Sequence, residues 1–104
     1  MVKFIATDLD GTLLDGERRL PEEIFPLIAK LKELGVLFAP ASGRQYANLK
    51  KLFEPVADDV LFICENGALI KYRGKTLHCH PIGNRYLKEA LDEIRALPHL
   101  YPML

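Results

Sequence analysis

The stretch FIATDLDGTLLDGERRL, residues 4–20, begins as an apolar run and passes at once into carboxylates. The run has the composition of a buried strand, and a buried strand normally ends in turn residues. Here the strand ends in Asp8 and Asp10, two acids separated by a single residue. This pattern indicates that the end of the first strand carries chemistry, whereas Asp15 is interpreted as a solvated turn residue.

Beyond this stretch the chain alternates strands with helices. Strands are predicted at residues 3–8, 36–42 and 59–67, helices at 20–35, 43–53 and 84–97, and a hairpin at 68–80. Near-continuous apolar strands that alternate with helices favour a parallel sheet covered on both faces. The predicted fold class is therefore α/β.

The first predicted helix has start and stop signals at its two ends. Pro21 suits a first helical turn, and Gly35 suits the exit. Pro26 lacks an amide donor and is predicted to delay or kink the start of the helix.

Composition places the chain among ordinary globular domains. It has 104 residues, 49% of them apolar and 27% charged, enough for one domain with a buried core. Fourteen basic residues balance fourteen acidic ones, so no net charge favours a polyanion or an anionic surface. We therefore expect neither nucleic acid nor a membrane as a partner.

Targeting and metal signals are sparse. Acids interrupt the first apolar run too early for a secretion signal, and no run approaches the ~20 apolar residues of a membrane helix, so a cytoplasmic location is expected. Cys64 and Cys79 fit neither a disulfide framework nor a metal knuckle, and Cys64 is predicted to be a buried apolar residue. His78 and His80 would share one strand face, but without a third ligand a solvated hairpin edge is the preferred interpretation.

Two interpretations of the paired acids compete. Asp10-Gly11 is a strong hairpin-turn signal, which explains Gly11 but not Asp8. In a parallel sheet, Asp8 would lie at the carboxyl end of a strand, where ligands bind. Clustering two acids there is costly without a cation, and Mg²⁺ takes one or two carboxylates and completes its shell with water and phosphate. The functional interpretation is preferred.

Three motifs follow one another along the predicted strands. DLDGTLL lies at residues 8–14, ASGR at 41–44 and ENGALI at 65–70. In this order and spacing they resemble the haloacid dehalogenase superfamily, and the third resembles its Cof-type sugar phosphatases. The resemblance implies the N-terminal half of a Rossmann-like core, a parallel sheet with flanking helices, followed by a hairpin and the start of a cap domain.

The resemblance also implies a chemistry, the Mg²⁺-dependent hydrolysis of phosphoric monoesters through an aspartyl phosphate. Asp8 would be the nucleophile, and Asp10 would protonate the leaving oxygen and then activate water. Both would hold Mg²⁺, Asp10 through its backbone carbonyl. The amides of Leu9 and Asp10 would face the phosphate, Gly11 would permit the sharp turn, and Thr12 would orient Asp10.

The second and third motifs would add phosphate and substrate contacts, each beside a structural alternative. Ser42 either caps the second helix or binds phosphate together with Gly43, and the two roles are compatible. Arg44 either reaches the substrate or lies on the surface. Asn66, which with Gly67 has the composition of a tight turn, is kept as a candidate substrate contact.

The sequence departs from the family in one respect. The family's third motif, a lysine, and its fourth, an acidic cluster, have no counterpart here. Residues 1–80 would be the N-terminal part of the core and residues 81–104 the beginning of a truncated cap. We therefore expect the chain to be inactive alone and to self-associate through the exposed edge of its first strand.

Three functions remain open at this point. The preferred one is a phosphatase of small phosphorylated metabolites. The second is a noncatalytic phosphate-binding or interaction module, and the third is a structural fragment without a ligand. Mg²⁺-dependent hydrolysis separates the first from the others, and anion binding separates the second from the third.

Overall fold

The computed structural model describes residues 1–103, which form one five-stranded sheet flanked by helices. The strands are β1 (Phe4–Asp8), β2 (Leu37–Ala41), β3 (Leu61–Cys64), β4 (Leu69–Tyr72) and β5 (Lys75–Cys79), and the helices are α1 (Ile24–Glu33), α2 (Tyr46–Leu52) and α3 (Asn84–Ala96). The strands lie in chain order across the sheet. β1, β2 and β3 are parallel, and the hairpin β4–β5 adds two antiparallel strands. The α/β prediction is confirmed, and the complete sheet is mixed.

The parallel register brings the carboxyl ends of three strands to one edge of the sheet. Asp8 is paired with Ala41, and Ala41 is paired with Ile63. The segments that follow these strands contain the three sequence motifs. They therefore meet at the edge where parallel sheets bind ligands.

Coverage of the sheet differs between β1 and β2. Phe38, Ala39 and Pro40 are consecutive and all buried, so β2 is covered on both faces. β1 alternates between exposed and half-buried residues, and Phe4 keeps 47% of its surface. The predicted coverage of both faces is wrong at β1, because this strand lies at the edge of the sheet and has β2 as its only partner among residues 1–103.

One apolar cluster joins the helices to the sheet. Phe53, directly after α2, is fully buried, and its ring centroid lies 6.3 Å from those of Phe38 and Phe62. Ile28 of α1 belongs to the same cluster. Cys64 is buried there as predicted, and this burial raises the pKa of its thiol.

The observed α1 begins later than the predicted helix. It starts at Ile24, so Pro21 precedes it, and the placement of Pro21 in the first turn is wrong. Pro26 lies in that first turn, where an amide has no intrahelical acceptor, which accounts for the delayed start predicted from it. Gly35 provides the predicted exit with a φ of +71°.

The last described elements are exposed. α3 lies within one residue of the predicted third helix, and none of its residues is buried. His78 and His80 are exposed, as expected at the edge of a hairpin. No helix within residues 1–103 combines the length and the apolar character that crossing a membrane requires.

Candidate active site at the carboxyl edge of the sheet

The first loop of the site is a single wide turn that follows β1. Leu9–Leu13 form a π-type turn closed by the Leu14 amide, which donates to the Leu9 carbonyl at 2.9 Å. The fully buried side chain of Leu9 anchors this turn to the core. Gly11 has a φ of +77° and open space around it, so the backbone conformation is what requires glycine. β1 has no antiparallel partner among residues 1–103, so the hairpin interpretation of Asp10-Gly11 is wrong.

The Asp8 carboxylate lies exposed at the end of β1. Its Oδ2 accepts a long hydrogen bond, 3.5 Å, from the Thr12 hydroxyl. Thr12 therefore contacts Asp8, whereas the resemblance implied that it would orient Asp10. Within the described chain no cation pairs with Asp8. The Asp8 carboxylate thus accepts one hydrogen bond from Thr12 and is otherwise open to solvent.

The second loop is organised by Ser42. This residue is buried, its amide donates to the Ile63 carbonyl at 3.0 Å, and its Oγ accepts the Arg44 amide at 3.1 Å. α2 begins only at Tyr46, after Gln45, so the interpretation of Ser42 as the helix cap is wrong. A serine hydroxyl competes for nearby amides, and here it closes a short turn from Ser42 to Arg44, before α2 begins at Tyr46.

The third loop packs directly on the second. The Asn66 amide donates to the Ser42 carbonyl at 3.0 Å, and the Glu65 amide donates to the Arg44 carbonyl at 3.1 Å. The Asn66 side chain lies against Gly43, where an added Cβ would stand 3.2 Å from its Oδ1. The tight turn predicted at Asn66 is present, and it brings Asn66 to the site at the same time.

An ion pair links the first loop to the second. Arg44 Nη2 and Nε donate to the two carboxylate oxygens of Asp10, at 2.7 and 3.1 Å. Arg44 Nη1 donates to Asn48 Oδ1 at 3.0 Å, which fixes the guanidinium from α2. The hydrogen bonds from Arg44 are the main reason that the pKa of Asp10 lies below its usual range, and the charge of Arg18 acts in the same direction. Arg44 therefore lies within the site, in contact with the predicted acid.

The loops after β1 and β2, the turn that contains Arg18 and the start of α2 line an open cleft of about 610 Å³, and Asp8, Ser42 and Asn66 are not among its lining residues. Its lining comprises Asp10, Arg18, Gly43, Arg44, Gln45 and Asn48. Asn48 and Gln45 contribute amide side chains from the start of α2, a region that the sequence analysis treated as helix surface. The cleft is consequently rich in hydrogen-bond donors, with two arginines and one carboxylate.

Sequence reasoning missed Arg18. It lies in a loop organised by Asp15, whose Oδ1 accepts the amides of Glu17 and Arg19 at 2.9 and 2.8 Å. These backbone amides, that of Arg19 first, hold the pKa of Asp15 below its usual value. Asp15 is the exposed turn residue that was predicted, yet the turn presents an arginine to the cleft. A signal was available in the Asx-turn composition of residues 15–19, but nothing local shows where that loop points.

The arrangement offers oxygen ligands for a divalent cation. The unpaired Asp8 carboxylate and the Asp10 backbone carbonyl are hard oxygen donors two residues apart, and such donors suit Mg²⁺. The Asp10 carboxylate is already taken up by Arg44. No group of three or more acidic, histidine or cysteine side chains is close enough within residues 1–103 to form a complete protein cage.

Comparison with known proteins identifies a family. A family profile described as haloacid dehalogenase-like hydrolase matches residues 5–102. The 5-amino-6-(5-phospho-D-ribitylamino)uracil phosphatase YbjI of Escherichia coli is 36% identical over 75 residues, which cover 71% of this chain and 28% of that protein. Phosphoglycolate phosphatase 1 of Saccharolobus solfataricus is 30% identical over 100 residues, which cover 93% of this chain and 42% of that protein.

A solved structure shows the same architecture. The crystal structure of SMU.1108c from Streptococcus mutans superposes with a TM-score of 0.82 at 29% identity. The superposition covers 94% of this chain and 37% of that one. The chain thus spans between 28% and 42% of the length of these three proteins.

Proposed function

Because the chain belongs to the haloacid dehalogenase-like hydrolases and has Cof-type phosphatases as relatives, we propose that it carries the nucleophile and the acid of a Mg²⁺-dependent phosphoric monoester hydrolase. The observation that supports this most directly is the pair of acids at the carboxyl end of β1. Asp8 is unpaired, and Asp10 is bound by an arginine from the neighbouring motif. The substrates named for the two curated relatives differ, so the proposed substrate class is a small phosphorylated metabolite.

In the first step, an oxygen of Asp8 attacks phosphorus, and the bond from phosphorus to the leaving oxygen breaks. The leaving oxygen takes a proton from Asp10. In the second step, water attacks the phosphorus of the aspartyl phosphate while Asp10 takes a proton from that water. The bond between phosphorus and the Asp8 oxygen breaks, phosphate departs, and both acids return to their initial states.

Arg44 influences when Asp10 can deliver its proton. In the free site its hydrogen bonds lower the pKa of Asp10 and keep that carboxyl ionised. Delivery to a leaving oxygen needs the protonated form, so Asp10 must take up a proton from solvent before the first step, and it holds that proton again when the second step is complete. The proposal therefore includes a loosening of the Arg44–Asp10 contact as substrate enters, with the guanidinium turning toward the anionic ligand.

The loops after β1 and β2 supply donors for the phosphoryl group. Leu9 and Asp10 contribute backbone amides, and Ser42 and Gly43 lie at the end of the neighbouring strand. Successive amides in turns bind anions well. The Thr12 hydroxyl donates a hydrogen bond to the nucleophile Asp8. The Asn66 side chain packs on Gly43, on the side of the β2 loop that faces the third motif.

Mg²⁺ would be held by the Asp8 carboxylate and the Asp10 carbonyl, with water and phosphate in the remaining positions. When bound, it would neutralise charge on the phosphoryl oxygens. Because Asp10 would give the metal only its backbone carbonyl, its carboxylate would be available for proton transfer once the contact with Arg44 loosens.

Two further parts of the proposal concern the chain as a whole. The resemblance requires a lysine and an acidic cluster that residues 1–104 were not predicted to supply, so these residues alone are expected to bind a phosphoryl group without turning it over. The location is proposed to be the cytoplasm, where free cysteines such as the exposed Cys79 remain reduced. The alternative is a noncatalytic phosphate-binding module. The observation that supports it is the ion pair in which Arg44 neutralises Asp10.

Beryllium fluoride with Mg²⁺, a mimic of the aspartyl phosphate, tests the nucleophile directly. The chain should give a bound fluorine NMR signal with Mg²⁺, and Asp8→Asn should lose it while keeping the circular dichroism spectrum. Asp92→Asn is the matched control, since it removes an exposed aspartate of α3, outside the site. A bound signal that survives in Asp8→Asn, or no signal in the wild-type chain, would contradict the proposal.

A further inference from the structure

Two adjacent arginines in the loop after the first motif have different surroundings. Arg19 forms ion pairs with Asp15 and Glu17, so its charge is neutralised within the loop. Arg18 takes part in none of the ion pairs found within residues 1–103. Arg18 is nevertheless the member of the pair that lines the cleft beside Asp10 and Arg44.

The loop holds Arg18 in that place at a conformational cost. Its φ is +61°, a left-handed value that non-glycine residues seldom adopt. The Arg18 amide donates to the Asp15 carbonyl at 2.9 Å, and the Asp15 side chain fixes the residues on either side of Arg18. The backbone at Arg18 is therefore determined by the loop and independent of any contact made by its guanidinium.

The other arginine of the cleft already has partners. Two nitrogens of Arg44 bind Asp10, and the third binds Asn48. Arg18 is thus the one cleft cation, within the described chain, that has no carboxylate of its own. An arginine presents a planar fork of donors that matches carboxylate and phosphate oxygens.

We propose that Arg18 is a specificity-determining residue that binds a second anionic group on the substrate, a carboxylate or a further phosphoryl group, while the reacting phosphoryl group lies at Asp8 and Ser42. The inference rests on the proposed function, because it takes the reacting group to be bound at the ends of β1 and β2. It goes beyond that function by defining the substrate class as small phosphate esters with two anionic groups.

Three phosphonates test this inference. Each is titrated into the 104-residue chain without metal, and binding is measured from the changes in amide chemical shifts. Methylphosphonate presents one anionic group, phosphonoacetate adds a carboxylate, and methylenediphosphonate adds a second phosphonate. One charge-assisted contact at a partly open site should make at least one of the larger probes bind about 10-fold more tightly than methylphosphonate. The probe that binds more tightly identifies the second group.

The variants separate this contact from general charge effects. Arg18→Gln should abolish the preference for the larger probes and leave the affinity for methylphosphonate within about 2-fold of that of the wild-type chain. Arg18→Lys should restore part of the preference. Arg95→Gln removes the same charge from the end of α3 and should keep the preference. Equal binding of all probes by the wild-type chain, or a preference that survives Arg18→Gln, would overturn the inference and leave the proposed function standing. Failure of every probe to shift residues near Asp8 and Ser42 would remove the metal-free anion site and overturn this inference, while the Mg²⁺-dependent function would still be decided by the beryllium fluoride experiment.

Discussion

Asn66 lies in a run of left-handed residues that connects β3 to β4, and its replacement tests how this run supports the site. The φ angles of Glu65, Asn66 and Gly67 are +50°, +56° and +94°. Asparagine tolerates this region better than most residues because its short side chain bonds locally, whereas alanine has no such compensation. Asn66→Ala should therefore lower the free energy of unfolding by about 1 kcal/mol.

Asn66→Gly separates the backbone from the side chain. Glycine adopts the left-handed region without a Cβ penalty and keeps the amide that donates to the Ser42 carbonyl. It should therefore retain the stability of the wild-type chain to within about 0.5 kcal/mol. Thermal unfolding resolves the two variants, since 1 kcal/mol corresponds to roughly 4–8 °C in a domain of this size.

The same pair of variants reports on the site. If the left-handed run positions the Ser42 loop, Asn66→Ala should weaken methylphosphonate binding and Asn66→Gly should recover most of it. A loss of stability as large in Asn66→Gly as in Asn66→Ala would refute this reasoning. The carboxamide that packs on Gly43 would then be the stabilising feature.

Three further predictions follow from the fold and the site. Arg44→Ala should raise the pKa of Asp10 toward its usual value, which carboxyl carbon NMR measures. A carboxyl whose pKa is lower in the folded than in the unfolded chain stabilises the fold at pH values above its unfolded pKa, and this stabilisation is lost as pH falls. The variant lacks this contribution and should therefore lose less stability on acidification. An unchanged Asp10 titration would contradict the ion pair. Phe53→Ala should cost about 3–5 kcal/mol in urea unfolding, because the fully buried ring contacts Phe38 and Phe62, and a cost below 1 kcal/mol would contradict this core. Sedimentation should show self-association of the chain through a second copy at the β1 edge, reduced by Phe4→Lys; a monomer, or association that Phe4→Lys does not change, would contradict it.

The elements and the first motif could be read from the sequence because their signals are local. Apolar runs mark the strands, a 3.6-residue period marks the helices, and Gly11 follows the paired acids at a fixed spacing. The parallel order of β1, β2 and β3 follows from the alternation of strands and helices, and it brings Asp8 near Ser42 at one edge. The interpretation of Ser42 as a helix cap was wrong, because its hydroxyl accepts the nearby Arg44 amide and the helix begins only at Tyr46.

Contacts between loops were decided by the tertiary structure alone. Arg44 and Asp10 are 34 positions apart in the chain, and no periodicity predicts that a guanidinium from one motif binds the acid of another. Arg18 lies in a polar turn whose composition shows that the chain reverses but not which surface it faces. The sequence by itself thus determined which groups are present and at which edge of the sheet they meet. The packing of three loops at that edge decided which charges are neutralised and which one remains open to a ligand, because that depends on side chains held together by the common core beneath them.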